Sequence, residues 1–286
     1  MHKIGKRIAL AIIVFCFILL LTSCSTGNSS NFSITFIDVG QGDAALVSCD
    51  GHYMLVDGGP KGTSEKVYNT LVDNKVTHLD ILAISHMDAD HIGGLAKALT
   101  YATTIDSVLS ITDHDNSNTF DDLSRELSIN GSSITVPKEN DKYTLGSAEV
   151  EIIAVGDPSI YNDSLIILVT YGKDKFLFTG DMTHNMEIKL CDKYHDNFPI
   201  SLLKVSHHGS DGIDDATTIT SIRFLDMLKL KYKYAVISVG ENNQYGHPSE
   251  QTLSRLEQAD VKIYRTDIDG TIVVTSNGSN LNFKTE

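Results

Sequence analysis

Cysteine and proline are scarce in this chain, and the scarcity of cysteine excludes two classes of protein. Among 286 residues there are four cysteines and five prolines. Cys16 lies in an apolar N-terminal run and Cys24 follows that run, which leaves Cys49 and Cys191. Two cysteines do not make a disulfide framework, although a single bridge between them stays open. Because no cysteine lies within the histidine clusters, the sequence also argues against a thiolate zinc site.

Positive charge is the second shortage. Lysine and arginine together number 23 against 37 acids, so the formal net charge is −14. Residues 1–23 contribute Lys3, Lys6 and Arg7 and no acid, so the remainder carries about −17. A field of that sign repels polyanions and argues against nucleic-acid binding by a broadly basic surface. Bound divalent cations would reverse the sign locally at a site.

The N-terminal segment lacks the length of a comfortable membrane span. Its apolar run, residues 8–21, follows a short basic start, so we interpret residues 1–23 as a signal peptide. The ending Leu21-Thr22-Ser23-Cys24 resembles a bacterial lipobox, which implies lipidation of Cys24 and anchoring to the cell membrane. Residues 24–31 are small and polar and suit a flexible tether. An uncleaved anchor helix is the alternative, and either way the remaining chain is expected outside the cytoplasm.

Strand and helix patterns alternate through residues 32–286, which we interpret as one domain without internal repeats. Strands are predicted at 33–39, 44–49, 52–56, 79–85, 105–111, 132–136, 148–154, 165–171, 175–179, 201–206, 234–239, 261–264, 271–275 and 281–283. Helices are predicted at 64–74, 91–100, 118–129, 183–194, 214–230 and 249–258. Two strand-rich runs, each followed by helices, indicate an α/β (α+β) fold with two sheets sandwiched between outer helices.

A cluster of potential metal ligands follows the apolar strand that ends at Ser85. His86, Asp88, Asp90 and His91 occur within six residues. In an extended loop, residues two apart point to the same side, so His86 and Asp88 can converge on one ion. Asp90 and His91 would then face a second ion, and imidazole with carboxylate favours zinc, manganese or iron. A solvated polar loop is the alternative, and four donors in this order argue against it.

The stretch from Ser85 to Gly94 resembles the metal motif of the metallo-β-lactamase superfamily, in the variant that has Asp88 where a second histidine is usual. That variant is similar to the extracellular hydrolase domain of ComEC-type competence proteins and of relatives that include a phosphorylcholine esterase. The resemblance runs from Phe32 to Phe283. It implies the αββα four-layer sandwich of the superfamily, two divalent ions with zinc or manganese preferred, and hydrolytic activity.

The same resemblance gives roles to acids and polar residues in other segments. Asp181, after the strand ending in Leu177-Phe178, is implied to bridge both ions, where sequence alone would equally allow a helix N-cap. Asn162 and Ser164 lie where many superfamily members supply a further histidine, which an amide or hydroxyl replaces poorly. Three acids in glycine-rich turns are expected to orient metal-bound histidines through hydrogen bonds: Asp38, Asp43 and Asp57.

Three histidines late in the chain have less certain roles. His207 is assigned to the second ion and His208 to the substrate phosphate, and an exchange of these roles stays open. His247 would complete a metal site or protonate a leaving group, with a capping or loop role as the alternative. Lys204 could contact an anionic substrate, yet a lysine beside a strand end is more often a surface group.

These motifs predict a metal-dependent extracellular hydrolase, and the resemblance implies a phosphodiesterase or nuclease that uses a water activated by two ions. Asp90, His208 and His247 are its candidate catalytic residues, the histidines as general acids. The expected partners are a phosphoester substrate, either DNA or a cell-wall phosphodiester, and the membrane, with no protein partner. The alternatives are a non-catalytic binding lipoprotein and a thioester or lactam hydrolase. A serine hydrolase is disfavoured because the chain has no Gly-x-Ser-x-Gly elbow.

Overall fold

The computed structural model describes residues 31–161, 163–195, 197–212, 217–230 and 233–286. The predicted signal peptide, the lipidation site Cys24 and most of the tether lie outside the described residues, as does Asn162. Residues 31–286 form one compact unit. None of the helices among the described residues has both the length and the apolar character needed to cross a membrane.

Strands and helices alternate along this unit much as the sequence patterns predict. The strands are β1 (Phe32–Phe36), β2 (Ala45–Cys49), β3 (His52–Val56), β4 (His78–Ala83), β5 (Thr104–Leu109), β6 (Ile134–Thr135), β7 (Lys142–Leu145), β8 (Ala148–Val155), β9 (Leu165–Tyr171), β10 (Asp174–Phe178), β11 (Leu202–Lys204), β12 (Tyr234–Ile237), β13 (Lys262–Arg265), β14 (Ile272–Ser276) and β15 (Leu281–Thr285). The α-helices are α1 (Ser64–Asp73), α2 (Ala89–Ile92), α3 (Leu95–Ala98), α4 (Asn118–Ile129), α5 (His184–Tyr194), α6 (Ile222–Leu228), α7 (Glu250–Gln258) and α8 (Thr266–Asp269). Two 3₁₀ turns lie at Lys61–Thr63 and Ser206–Gly209.

The strands form two mixed sheets. The first has the order β15-β14-β1-β2-β3-β4-β5-β6, and the second has the order β13-β12-β11-β10-β9-β8-β7. Parallel pairing runs from β3 to β6 in the first sheet and from β10 to β13 in the second. The parallel strands within each sheet therefore end at the same edge, where their following loops come together.

Three apolar clusters fill the space between the layers. Between the sheets, Phe32 stacks on Phe176 with 4.9 Å between ring centroids, and Phe36 stacks on Phe178 at 5.9 Å. A second cluster joins the first sheet to α1, α3 and α4, and a third joins the second sheet to α5, α6 and α7. This arrangement is the predicted αββα four-layer sandwich, and that fold prediction is confirmed.

Several local predictions are wrong. The helix expected over residues 91–100 is two short helices, α2 and α3, interrupted at Gly93 and Gly94. Strand β7 was not predicted, and α6 covers only Ile222–Leu228 of the helix expected over 214–230 because Ser221 caps it by accepting a hydrogen bond from Phe224 N. Cys49 and Cys191 are both free and buried in different apolar clusters, so the bridge between them does not form.

Candidate metal centre

Three loops that follow parallel strands meet at one edge of the sandwich. They are residues 84–88 after β4, residues 179–183 after β10, and the 3₁₀ turn Ser206–Gly209 after β11. Backbone hydrogen bonds fix their positions: Leu165 N donates to Ser85 O across the two sheets at 2.8 Å, and His207 N donates to Gly180 O at 3.0 Å. Ligands from distant parts of the chain are thereby held close together.

Asp181 lies at the centre of this edge. Its Oδ1 is 3.3 Å from His91 Nε2, and its Oδ2 is 3.5 Å from His207 Nε2 and 3.8 Å from both His86 Nε2 and His208 Nε2. The helix α5 that follows is capped by Thr183, whose hydroxyl accepts a hydrogen bond from Met186 N. Asp181 is therefore not the N-cap that the sequence alone would allow.

The donor atoms fit a divalent metal ion. His86 Nε2, His91 Nε2 and Asp181 Oδ1 are buried without a hydrogen-bond partner among the described residues. Leaving such buried atoms unpaired is costly, so this set of donor atoms fits a bound cation. Imidazole nitrogens and carboxylate oxygens in this mixture suit zinc or manganese.

A second group of donors shares His91 with the first. His208 Nε2 is 3.2 Å from Asp90 Oδ2, and ligand atoms of Asp90, His91 and His208 all lie within 4.8 Å of one another. Asp88 lies at the rim, with Oδ2 3.7 Å from His86 Nε2 and a third of its side chain exposed. The predicted cluster from His86 to His91 is thus assembled around two adjacent positions that could each hold an ion.

Asp57 fixes the orientation of the first-sheet ligands. Its carboxylate accepts hydrogen bonds from Ser85 N and Ser85 Oγ, both at 2.8 Å, and contacts His91 Nδ1 at 3.0 Å. With Nδ1 held in this way, His91 presents Nε2 to the site. Close backbone packing supports the loop, because a Cβ on Gly94 would lie 2.0 Å from Gly58 O.

Of the other two acids expected to orient histidines, the structure brings only Asp43 into the site. Asp43 Oδ1 lies 3.2 Å from His208 Nδ1. Asp38 instead accepts hydrogen bonds from Lys66 Nζ at 2.7 Å and from Gly40 N at 3.1 Å. Its side chain serves the turn and the adjacent helix α1, so the role predicted for Asp38 is not supported by its position.

Ser164 acts on the backbone of the central acid. Its Oγ accepts a hydrogen bond from Asp181 N at 3.0 Å, so the hydroxyl positions Asp181. Gly180 has φ of +49°, and a Cβ there would lie 2.7 Å from the Ser85 side chain and 2.8 Å from Ser164 Oγ. A glycine is required because the two sheets meet closely at this turn.

His207 and His208 both adopt the left-handed conformation, with φ of 48° and 53°. Two consecutive residues of this kind are uncommon and store strain of the sort found at functional sites. The turn directs both imidazoles to Asp181, although neighbours on a strand would point apart. Ser206 Oγ donates to Met182 O at 3.1 Å, so the serine is engaged in holding the turn.

His247 lies beside this pair. Its ring centroid is 5.5 Å from that of His207 and 6.3 Å from that of His208, and its Nδ1 is buried without a hydrogen-bond partner among the described residues. Ser249 caps α7, so His247 is not a capping residue. Burial and the nearby charges of His207 and His208 lower the pKa of His247 to about 4.

Opposite charges in the site stabilise each other. Burial would raise the pKa of Asp181, but the charges of His91 and His208 outweigh burial and hold that pKa well below its ordinary value. Burial would lower the pKa of His208, but Asp181 and Asp43 outweigh it and raise that pKa to about 9. The carboxylates are therefore ionised at neutral pH and available as ligands.

A cleft opens over these ligands in two lobes. One lobe of about 490 Å³ is lined by His86, Asp88, Asp115 and Asp163 together with Tyr161, and one of about 300 Å³ is lined by Asp181, His207 and Tyr161. Tyr161 lies between the lobes and is 77% exposed. The larger lobe gives a substrate access to His86 and Asp88, and the smaller lobe gives it access to Asp181 and His207.

Sequence reasoning missed two residues of this site. Ser85 was noted only as a strand end, and it contacts Asp57, His86 and His91. For Lys204 the sequence left open a substrate contact or a surface position, whereas the side chain is 3% exposed and its Nζ lies 2.8 Å from Asp43 Oδ2. The available signal was that Lys204 interrupts an otherwise apolar strand, Leu202-Leu203-Lys204-Val205.

Residues 37–239 match the sequence profile of the family described as the metallo-beta-lactamase superfamily. The chain belongs to the metallo-β-lactamase superfamily. The match spans the loops of the metal centre from Asp43 to His208. The fold of this superfamily binds divalent metals, and its metal-dependent hydrolases are the protein class to which this chain is assigned.

Two curated relatives support the predicted ComEC-type resemblance. ComE operon protein 3 of Bacillus subtilis is 28% identical over 90% of this chain and 34% of its own length. Competence protein ComA of Neisseria gonorrhoeae is 26% identical over 84% of this chain and 32% of its own length. The chain therefore spans about a third of the length of these curated relatives.

Solved structures show the same fold. YhfI from Bacillus subtilis, a metallo-beta-lactamase fold protein, has 11% identity and a TM-score of 0.56 over 89% of this chain and 100% of its own. Igni18, a metallo hydrolase from Ignicoccus hospitalis, has 14% identity and a TM-score of 0.55 over 84% and 98%. The diiron β-hydroxylase CmlA from Streptomyces venezuelae has 14% identity and a TM-score of 0.53 over 90% and 54%. At these identities the likeness concerns the fold alone.

Proposed function

We propose that this protein is a metal-dependent phosphodiesterase whose nucleophile is a water molecule rather than a side chain. The observation that carries the proposal is the position of Asp181, whose two carboxylate oxygens face histidines of both donor groups. A carboxylate that faces both donor groups could serve as a ligand to two ions. Two divalent ions bound there would supply the charge that activates water and stabilises the entering and leaving oxygens of a phosphoester.

We assign the ligands from the two donor groups. His86, Asp88 and Asp181 would hold one ion, and Asp90, His91, His208 and Asp181 would hold the other. His208, rather than His207 as first expected, is the histidine whose Nε2 lies against Asp90. We therefore favour the exchange of roles that the sequence left open, with His208 as the metal ligand and His207 facing the substrate.

His207 and His247 are then placed to act on the substrate. His207 lines the smaller lobe of the cleft, and the His247 ring lies 5.5 Å from it. We propose that these two imidazoles contact the phosphoryl group and the leaving oxygen. The hydrogen bond of Ser206 to Met182 O argues against this serine as a nucleophile and supports water in that role.

The cleft favours a small phosphodiester over a long nucleic acid. Among the described residues that line its two lobes there is no lysine or arginine, whereas Asp88, Asp115 and Asp163 line the larger lobe. A nucleic acid needs cationic side chains along its flanking phosphates, because phosphate contacts supply most of its affinity. A single phosphodiester needs only the charge of the ions themselves.

The names of the curated relatives favour the second candidate, a nuclease. One of them is named competence protein ComA, and the resemblance to ComEC-type competence proteins implies nucleic acid as the substrate. A hydrolase domain shared with them would act on DNA. Both candidate enzymes would hydrolyse a phosphodiester bond by the same reaction at phosphorus. They differ in the length of the substrate that the cleft must accept.

We also propose that the protein is lipid-anchored outside the cytoplasm through Cys24. The support is the basic and apolar N-terminal segment followed by the lipobox-like Leu21-Thr22-Ser23-Cys24. Such a location would expose the enzyme to extracellular DNA and to cell-wall phosphodiesters. Mass spectrometry of the membrane fraction tests this assignment and should show a diacylglyceryl group on Cys24. The C24A variant should lack that group and should be released from the membrane.

Hydrolysis by the metal-loaded, full-length chain tests the function directly. The substrates are bis-p-nitrophenyl phosphate, single-stranded DNA, a thioester and a lactam, each with manganese or zinc. We expect turnover of the small phosphodiester that disappears in D90A. DNA cleavage at a higher kcat/KM would favour the nuclease, and turnover of the thioester or lactam alone would reject phosphoester hydrolysis. Bound metal without turnover of any substrate would favour the non-catalytic binding lipoprotein.

A further inference from the structure

Lys204 is a buried cation in the apolar strand β11. Leu202, Leu203 and Val205 around it are buried, and Lys204 itself is 3% exposed. Its Nζ forms an ion pair with Asp43 Oδ2 at 2.8 Å and donates a hydrogen bond to Val205 O at 3.0 Å. Burying such a pair contributes little net stability, because the loss of hydration offsets the attraction. Stability alone therefore does not account for a buried lysine at this position.

The ion pair continues into the metal centre. The second carboxylate oxygen of Asp43, Oδ1, lies 3.2 Å from His208 Nδ1, and Ser238 O lies 3.0 Å from the same nitrogen. The hydrogen bond between Nδ1 and Ser238 O and the ion-pair contact with Asp43 Oδ1 orient the ring of His208, whose Nε2 faces Asp90 Oδ2 at 3.2 Å. Lys204 thus acts on His208 through one intervening carboxylate.

The backbone of Asp43 is held within the first-sheet loops. Asp43 N donates to Asp90 O at 3.2 Å, and Gly59 N donates to Asp43 O at 2.8 Å. Asp43 therefore belongs to the first-sheet loops, whereas Lys204 and His208 belong to the second sheet. The Lys204 ion pair thus joins the two sheets next to His208 and Asp90.

We propose that Lys204 is a positioning residue for the metal centre. Its ion pair with Asp43 holds His208 in register with Asp90 and His91, and so determines the affinity of the ion that these three residues would bind. The inference rests on the metal centre of the proposed function but not on its substrate. Direct contact between Lys204 and a substrate is excluded by its burial beneath the site and by its absence from the residues that line the two cleft lobes.

The test compares metal binding by the wild-type full-length chain with that of K204M. Methionine keeps the apolar length of the side chain and removes the charge. We expect two manganese ions per wild-type chain by equilibrium dialysis with elemental analysis. In K204M one ion should bind as before and the other about 10- to 100-fold more weakly, the loss typical for partners that orient a ligand. D43N should show the same selective loss, and the double variant should lose no more than the larger single loss.

Glu187 provides a matched control for a buried charge. It is 2% exposed and accepts hydrogen bonds from Thr220 N and Ser221 N, and it belongs to neither donor group. E187Q should lower the melting temperature and leave the affinity of both ions unchanged. Should K204M fail to fold, as judged by circular dichroism, K204Q replaces it, with the same selective loss expected.

Each result supports or overturns the inference. Unchanged affinity for both ions in a folded K204M or K204Q would overturn it and leave the ion pair as a clamp between the sheets. Equal weakening of both ions, or fewer than two ions on the wild-type chain, would overturn it as well. Two ions on the wild-type chain without hydrolysis of any ester would reject the proposed function alone, and the metal affinities of the variants would still decide the role of Lys204.

Discussion

The two halves of the metal centre differ in how they are encoded. In the first-sheet half, His86, Asp88, Asp90 and His91 come from one loop of six residues. In the second-sheet half, Asp181, the His207–His208 pair and His247 come from three segments separated by 26 and 39 positions in the chain. The first half is defined by spacing within a loop, and the second is defined by strand pairing. A contiguous motif is therefore enough to identify ligands. The roles of ligands that lie far apart in the chain depend on how the strands pair in the sheet.

Asp181 joins the two halves, and its replacement has the largest expected effect. D181N keeps the shape of the side chain and removes the charge that faces both donor groups. We expect the loss of at least one ion and a fall in kcat/KM on the order of a thousandfold, because a metal supplies several kcal/mol of charge stabilisation. Metal analysis and bis-p-nitrophenyl phosphate kinetics measure both.

The control for this variant is D260N, which removes an exposed carboxylate that pairs with Lys233 on the surface. It should retain both ions and full activity. If D181N bound two ions as tightly as the wild type, the two halves of the metal centre would not depend on a shared carboxylate.

The His207–His208 pair gives the sharpest test of assignment in the second half. H208N should weaken one ion, because His208 Nε2 lies against Asp90. H207N should keep both ions and lower kcat about 100-fold or more, the range for a group that transfers a proton. Isothermal titration with manganese and steady-state kinetics separate the two effects. The opposite pattern would restore the assignment first expected from the sequence, with His207 on the ion and His208 on the substrate phosphate.

A substitution that disturbs the packing of the first-half loop should have the smallest effect on catalysis. It should still lower the stability of the fold clearly. A Cβ on Gly94 would lie 2.0 Å from Gly58 O, so G94A forces the backbone apart. We expect a loss of about 1 to 3 kcal/mol in the free energy of unfolding, as is typical of overpacking. Urea denaturation measures it, with G62A as the control because a Cβ on Gly62 meets nothing within 4 Å.

Much of the fold could be predicted from the sequence because its signals are local. Strand β9 and helix α4 begin and end at the predicted residues, since apolar periodicity and turn residues mark them. The division of residues 91–100 into two helices was not predicted, and at the interruption Gly94 N donates a hydrogen bond to Gly59 O, a residue distant in the sequence. Strand β7 was missed because its short polar sequence gains its place only by pairing with β8.

By itself, the sequence determined the residue types of the metal centre, the loop that carries half of them and the αββα sandwich. These follow from alternation, spacing and ligand chemistry, which act over a few residues. Only the tertiary structure decided that Asp38 turns to Lys66, that His208 rather than His207 lies against Asp90, and that Lys204 is buried against Asp43. Those outcomes depend on the left-handed turn after β11 and on how the two sheets meet, and such long-range geometry leaves no local pattern.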